Sequence, residues 1–157
     1  MGRTGQLSDY SMAEGVLQKK PKTAVLLVGH GSALAEGRKG LESLTDMVRG
    51  CGGHEMVAFA FLSRGEPDLL QGVRICVEQG ADRILLCPCF LFTGAHVRQD
   101  LPAEMARIAT LFPGLEWAVG EPLGIHPKLA EIVCERIVEA SIRTGWLNSD
   151  EFLRKHQ

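Results

Sequence analysis

The sequence predicts an α/β domain with an open, mainly parallel sheet of four strands in the order 2-1-3-4 and helices on both faces. Two observations carry that expectation. Short apolar runs alternate with longer amphipathic ones from Thr23 onward, the pattern of repeated βα units. The apolar runs are also continuous rather than alternating, as strands buried on both faces must be. Four such units are few for a closed eight-stranded barrel, so the sheet is expected to be open.

The first strand is Ala24 to Val28. Leu41, Leu44, Met47 and Val48 follow at helical spacing, and that helix stops in the glycine-rich turn Gly50-Cys51-Gly52-Gly53. Glu55 to Leu62 is the second strand. The second helix starts near Glu66-Pro67-Asp68, with a proline in the first turn, and buries Leu69, Leu70, Val73 and Val77 before Gly80. Arg83 to Cys87 is the third strand. Leu101, Met105, Ile108 and Phe112 then mark one face of a third helix, which His96 precedes and whose first turn carries Asp100; Pro113-Gly114 breaks it. Leu115 to Val119 is the fourth strand, and a fourth helix runs from about Pro127 to Thr144-Gly145.

The expected organisation is a flexible extension over 1–22, or a loosely docked helix around Ser11 to Gln18, then a domain over 23–145 and a polar tail over 146–157. The chain has 157 residues, of which 45% are hydrophobic and 23% charged, with a formal net charge of -2. That balance exerts no general pull on nucleic acid or an anionic membrane. No apolar run reaches spanning length, so a soluble protein without membrane or nucleic-acid partners is expected. The five cysteines form no C-x-x-C pair; reduced thiols in a cytoplasmic protein are the simplest account, and Cys87 and Cys89 read as small core residues rather than ligands.

The strand order has a chemical consequence. If the chain returns across the first strand to reach the third, the topological switch point lies between those two strands, and ligands of open α/β sheets bind beyond the carboxyl ends there. His30, in Gly29-His30-Gly31-Ser32, and His96, in Thr93-Gly94-Ala95-His96, then flank one crevice. Neutral imidazole is a good donor for divalent first-row metals and accepts a proton near neutral pH. Either histidine taken alone could simply belong to a turn or a helix start, and Gly29 to Ser32 could instead cradle a phosphate. Glu66 is placed to take a proton, to act as an oxygen ligand, or to compensate a helix N-terminus. Arg38, Lys39, Arg64 and Arg98 follow strand ends on the same rim, where guanidinium forks suit carboxylates. His126 is expected to cap the fourth helix or to sit at a substrate's edge. No nucleophile elbow, dinucleotide fingerprint or P-loop is present.

Four segments resemble the small sirohydrochlorin chelatases of the CbiX/SirB type: Leu26-Leu27-Val28-Gly29-His30-Gly31-Ser32, Phe61-Leu62-Ser63-Arg64-Gly65-Glu66-Pro67-Asp68, the run from Pro88 to Pro102, and Pro122-Leu123-Gly124-Ile125-His126-Pro127. The similarity extends from about Thr23 to Arg143. It implies a chelatase-like α/β half-unit that inserts Co(II) or Fe(II), with Ni(II) a further candidate, into sirohydrochlorin on the way to cobalamin or sirohaem. The metal would be a substrate, no prosthetic group would be needed, and the chain would work as a homodimer. His30 and His96 would handle the metal. Glu66 would assist as a base, and Ser32, Arg38, Arg64, Thr93, Gly94, Arg98 and His126 would contact the tetrapyrrole. A metallochaperone using the same histidines, or a flavodoxin-like phosphate binder, are the competing readings.

Overall fold

The computed structural model describes residues 10–13, 16–31, 35–92 and 94–147. The chain separates into two compact units, Met1–Pro122 and Leu123–Gln157. The first opens with β1 (Tyr10–Ala13) and β2 (Val16–Lys19), paired antiparallel with Tyr10 opposite Lys19 and Ala13 opposite Val16. The helix considered around Ser11 to Gln18 is therefore a strand pair. Gly15, among the poorest helix formers, interrupts that stretch, and Tyr10 and Val16 favour extended chain.

The main sheet contains β3 (Thr23–Gly31), β4 (Met56–Arg64), β5 (Arg83–Pro88) and β6 (Glu116–Val119), in the order β4-β3-β5-β6, every pairing parallel. This is the expected 2-1-3-4 order. Helix α1 (Ala35–Gly50) covers one face, where Leu41 packs with Val25, Leu27, Val57 and Phe61. The opposite face is covered by α2 (Leu69–Glu78) and α3 (Ala95–Ala109), which bring Leu69, Val73, Cys76, Leu101 and Ile108 against Leu26, Val28, Ala60, Ile84 and Leu86. Gly72 lets α2 lie close to the sheet, since a Cβ there would come within 2.7 Å of the Ala60 Cβ.

Several element boundaries differ from the sequence expectation, those at the ends of β3 and β4 and at the starts of α2 and α3 being the ones that bear on the site. β3 continues past Val28 through Gly29, His30 and Gly31, because β4 also runs on and pairs Arg64 with Gly31 across a register shift. His30 therefore belongs to a strand end rather than to a loop beyond it. Pro67 precedes α2 instead of entering its first turn: Asp68 is the N-cap, in a reciprocal capping box with Gln71, and the Pro67 carbonyl accepts the Phe61 N–H at 2.9 Å. Helix α3 begins at Ala95, so His96 lies in its first turn and Asp100 beyond it. Asp100 and Pro102 imitate a helix start, although Pro102 stands inside the helix.

One carbonyl on the outer edge of β4 is occupied by a side chain. Arg49 Nη2 donates to the Val57 carbonyl at 2.7 Å while its Nη1 pairs with Asp46, which occupies a group that could otherwise recruit another strand. The second unit contains α4 (Pro127–Arg143), with Pro127 at its start. Among the described residues no helix is long and apolar enough to cross a membrane.

Candidate metal-handling site

Both histidines come from the carboxyl ends of neighbouring parallel strands. His30 is the penultimate residue of β3; His96 is carried on the first turn of α3, which follows β5. β3 and β5 pair from Thr23 opposite Arg83 to Val28 opposite Pro88, and Cys89 N–H extends the ladder to the Val28 carbonyl at 2.8 Å. Their outgoing connections diverge, since α1 packs on one face of the sheet and α3 on the other. This is the switch point at which such sheets open a crevice.

His30 is exposed, in contrast with the six buried residues before it. Its ring meets Phe90 edge to face, with centroids 6.3 Å apart and planes inclined by 78°. The Ser63 hydroxyl donates to the His30 carbonyl at 2.8 Å. Gly31 follows at φ +112°, and a Cβ there would collide with the Arg64 carbonyl, so glycine is required for two reasons. The second glycine of Gly-His-Gly is thus required by the close approach of the two strand ends, whereas a Cβ on Gly29 would meet the Leu41 and Phe61 side chains. The roles of Ser63 and Phe90 were not read from the sequence. A register in which β4 runs parallel beside β3 as far as Arg64 would have suggested Ser63, but only long-range pairing supplies that register.

The remaining candidates divide. Arg64 closes β4 opposite Gly31, and Glu66 follows after Gly65. Arg38 Nη1 donates to the Glu66 carbonyl at 3.0 Å, and its guanidinium lies 5.9 Å from the Phe59 ring centroid. Arg38 thus lines a groove of about 390 Å³ along the β4 edge, together with Glu42, Arg49 and Phe59. Gly94 is the N-cap of α3, with extended backbone, and Arg98 is exposed on that helix. His126 caps α4, its Nδ1 accepting the Lys128 N–H at 3.2 Å, and it belongs to the second unit. Ser32, Thr93 and the His96 side chain lie outside the described residues. Among the described residues no three His, Cys, Asp or Glu side chains gather into a metal-holding group.

Cys87 and Cys89 pack against the α1-side core. Burial pushes the Cys89 thiol up to about 11, reinforced by the neighbouring Cys87, and it donates weakly to the Cys87 carbonyl at 3.6 Å. Thiols held in the protonated form are poor ligands, which agrees with their reading as core residues.

A family model named CbiX matches residues 24–140. The chain belongs to the CbiX family. It is 33% identical over 124 residues to a sirohydrochlorin ferrochelatase of Bacillus subtilis, the match spanning 77% of this chain and 46% of that protein. It is 32% identical over 137 residues to a sirohydrochlorin cobaltochelatase of Methanopyrus kandleri, spanning 74% of this chain and 96% of that one. Among solved structures, the sirohydrochlorin chelatase SirB from Bacillus subtilis subspecies spizizenii in complex with cobalt superimposes with a TM-score of 0.69 at 31% identity, covering 75% of this chain and 50% of SirB. The chain thus spans about half the length of the Bacillus proteins and nearly all of the Methanopyrus one.

Proposed function

We propose that this CbiX-family chain is a sirohydrochlorin chelatase that inserts a divalent metal, Co(II) or Fe(II) with Ni(II) a third candidate, into the macrocycle. The observation that carries the reading is the origin of His30 and His96 at the carboxyl ends of adjacent parallel strands, β3 and β5, at the switch point of a chelatase-family sheet. Relatives named for iron and for cobalt both match, which supports the reaction class above any one metal.

Metal uptake requires the macrocycle to lose two pyrrole protons as the ion enters from one face. His30 and His96 hold the ion and relay protons, and Glu66 assists as a base. Arg64 and Arg98 pair with peripheral carboxylates of the ring, and Arg38 does so from the β4 edge. Ser32, Thr93 and Gly94 contact the ring. The enzyme works as a homodimer in the cytoplasm, without a prosthetic group.

An absorbance time course with sirohydrochlorin and Co(II) or Fe(II) tests this. Wild type should accelerate the spectral shift over the uncatalysed rate, and His30→Ala and His96→Ala should each remove that acceleration. Absence of acceleration with every divalent ion would overturn the reading in favour of a metal-binding module.

A further inference from the structure

We propose that Ser63 is a positioning residue for His30, its hydroxyl fixing the backbone from which the imidazole reaches the metal. The inference deepens the reading above and rests on His30 as a metal ligand. Three observations converge on it. The ladder between β3 and β4 shifts register between Gly29 and Gly31, so at His30 the regular pairing that would fix the peptide is interrupted. Ser63 Oγ bridges that gap, donating to the His30 carbonyl at 2.8 Å. Gly31, at φ +112° and packed against the Arg64 backbone, then turns the chain away immediately after the histidine.

His30 is exposed, so core packing does not hold it. Its seat is set by its neighbours on both sides: the Ser63 hydroxyl at its carbonyl and the Phe90 ring edge at its imidazole. A ligand held in one orientation before the ion arrives loses less freedom on binding it, and the hydroxyl contributes by removing alternative backbone orientations. Ser63 acts through His30, without touching the metal.

The test uses four full-length proteins, wild type, Ser63→Ala, Ser63→Val and Ser63→Thr, with His30→Ala as the ligand control. Valine and threonine share a shape and differ in the hydroxyl. Titration with Co(II) alone, followed by calorimetry, should show affinity roughly three- to ten-fold weaker in the alanine and valine variants, the scale of one hydrogen bond, and restored by threonine. All four should melt within about 2 °C of one another, the usual range for surface substitutions. In the insertion assay kcat should fall in the alanine and valine variants while KM for sirohydrochlorin stays constant.

Unchanged Co(II) affinity in the alanine and valine variants would overturn the proposal. So would equal losses in valine and threonine, a loss matched by lower melting temperature, or a His30→Ala protein that binds Co(II) like wild type. If wild type inserts no metal yet the Co(II) series behaves as stated, the chelatase reading fails while the positioning role stands.

Discussion

Ala24 to Val28 of β3 are 0–4% exposed, enclosed by strands on both sides and by helices above and below, whereas His30, two residues further on, is exposed between two glycines. One strand therefore serves two purposes along its length. Its interior stabilises the sheet through apolar burial, which is tolerant of chemistry and intolerant of lost volume. Its end contributes little burial and depends on backbone geometry: a register shift, a positive φ and one hydroxyl bond. The comparison teaches that side chains leave the core where the strand's regular pairing shifts, which is where the proposed site lies.

Truncation inside the strand should show the largest effect on stability. Leu26 is fully buried at the sheet's centre, and Leu26→Ala should cost about 3 kcal/mol through lost burial and a residual cavity. Chemical denaturation of the variant checks this; a cost under about 1 kcal/mol, below the usual range, would mean the core repacks.

Gly31→Ala should cost about 2 kcal/mol from the positive φ, with the collision against the Arg64 backbone adding to it, and should impair Co(II) binding out of proportion to that loss, because the Cβ pushes the His30 seat off Arg64. Calorimetric titration beside a melt separates the two contributions. Full Co(II) affinity in this variant would break the distinction between interior and end.

The smallest effect concerns the thiols. Burial raises Cys76 from the ordinary 9.0 to about 11, so between these values the unfolded chain releases a proton that the fold retains. Stability contributed by the neutral thiol is complete below pH 9 and declines as pH rises toward 11. Melting should drop by a few degrees across that window, roughly the response to a modest loss of stability, and less in Cys76→Ala compared with its own value at pH 8. At pH 8 a thiol reagent should modify exposed Cys51 and Cys134 at once and Cys76 only on unfolding. Rapid modification of Cys76 would show that the α2 face opens readily.

Much of this architecture is legible in the residues, for a physical reason. A parallel strand covered on both faces must be apolar throughout, so Ala24 to Val28 and Arg83 to Cys87 declare themselves, and their order follows from the way βα units wind. Local signals failed where long-range pairing decides. Nothing near His30 states that β4 runs beside it to Arg64, so the histidine reads as a loop residue, and Ser63, which has no patterned base or acid beside it, shows no sign of its bond to the His30 carbonyl. The Asp100-Leu101-Pro102 sequence carries the marks of a helix start, yet the helix already runs from Ala95. The sequence places Arg38 after β3, but its contacts with Phe59 and the Glu66 carbonyl come from long-range packing that no local signal states.

The central claim, that the end of β3 is a metal-handling site rather than a structural element, is tested most directly by measuring insertion and melting together in His30→Ala. Melting within about 2 °C of wild type, as for other surface changes, with metal insertion into sirohydrochlorin reduced by roughly 100-fold or more, is the result this account predicts. Insertion at the wild-type rate, or a loss that merely follows a collapse in melting temperature, would contradict it.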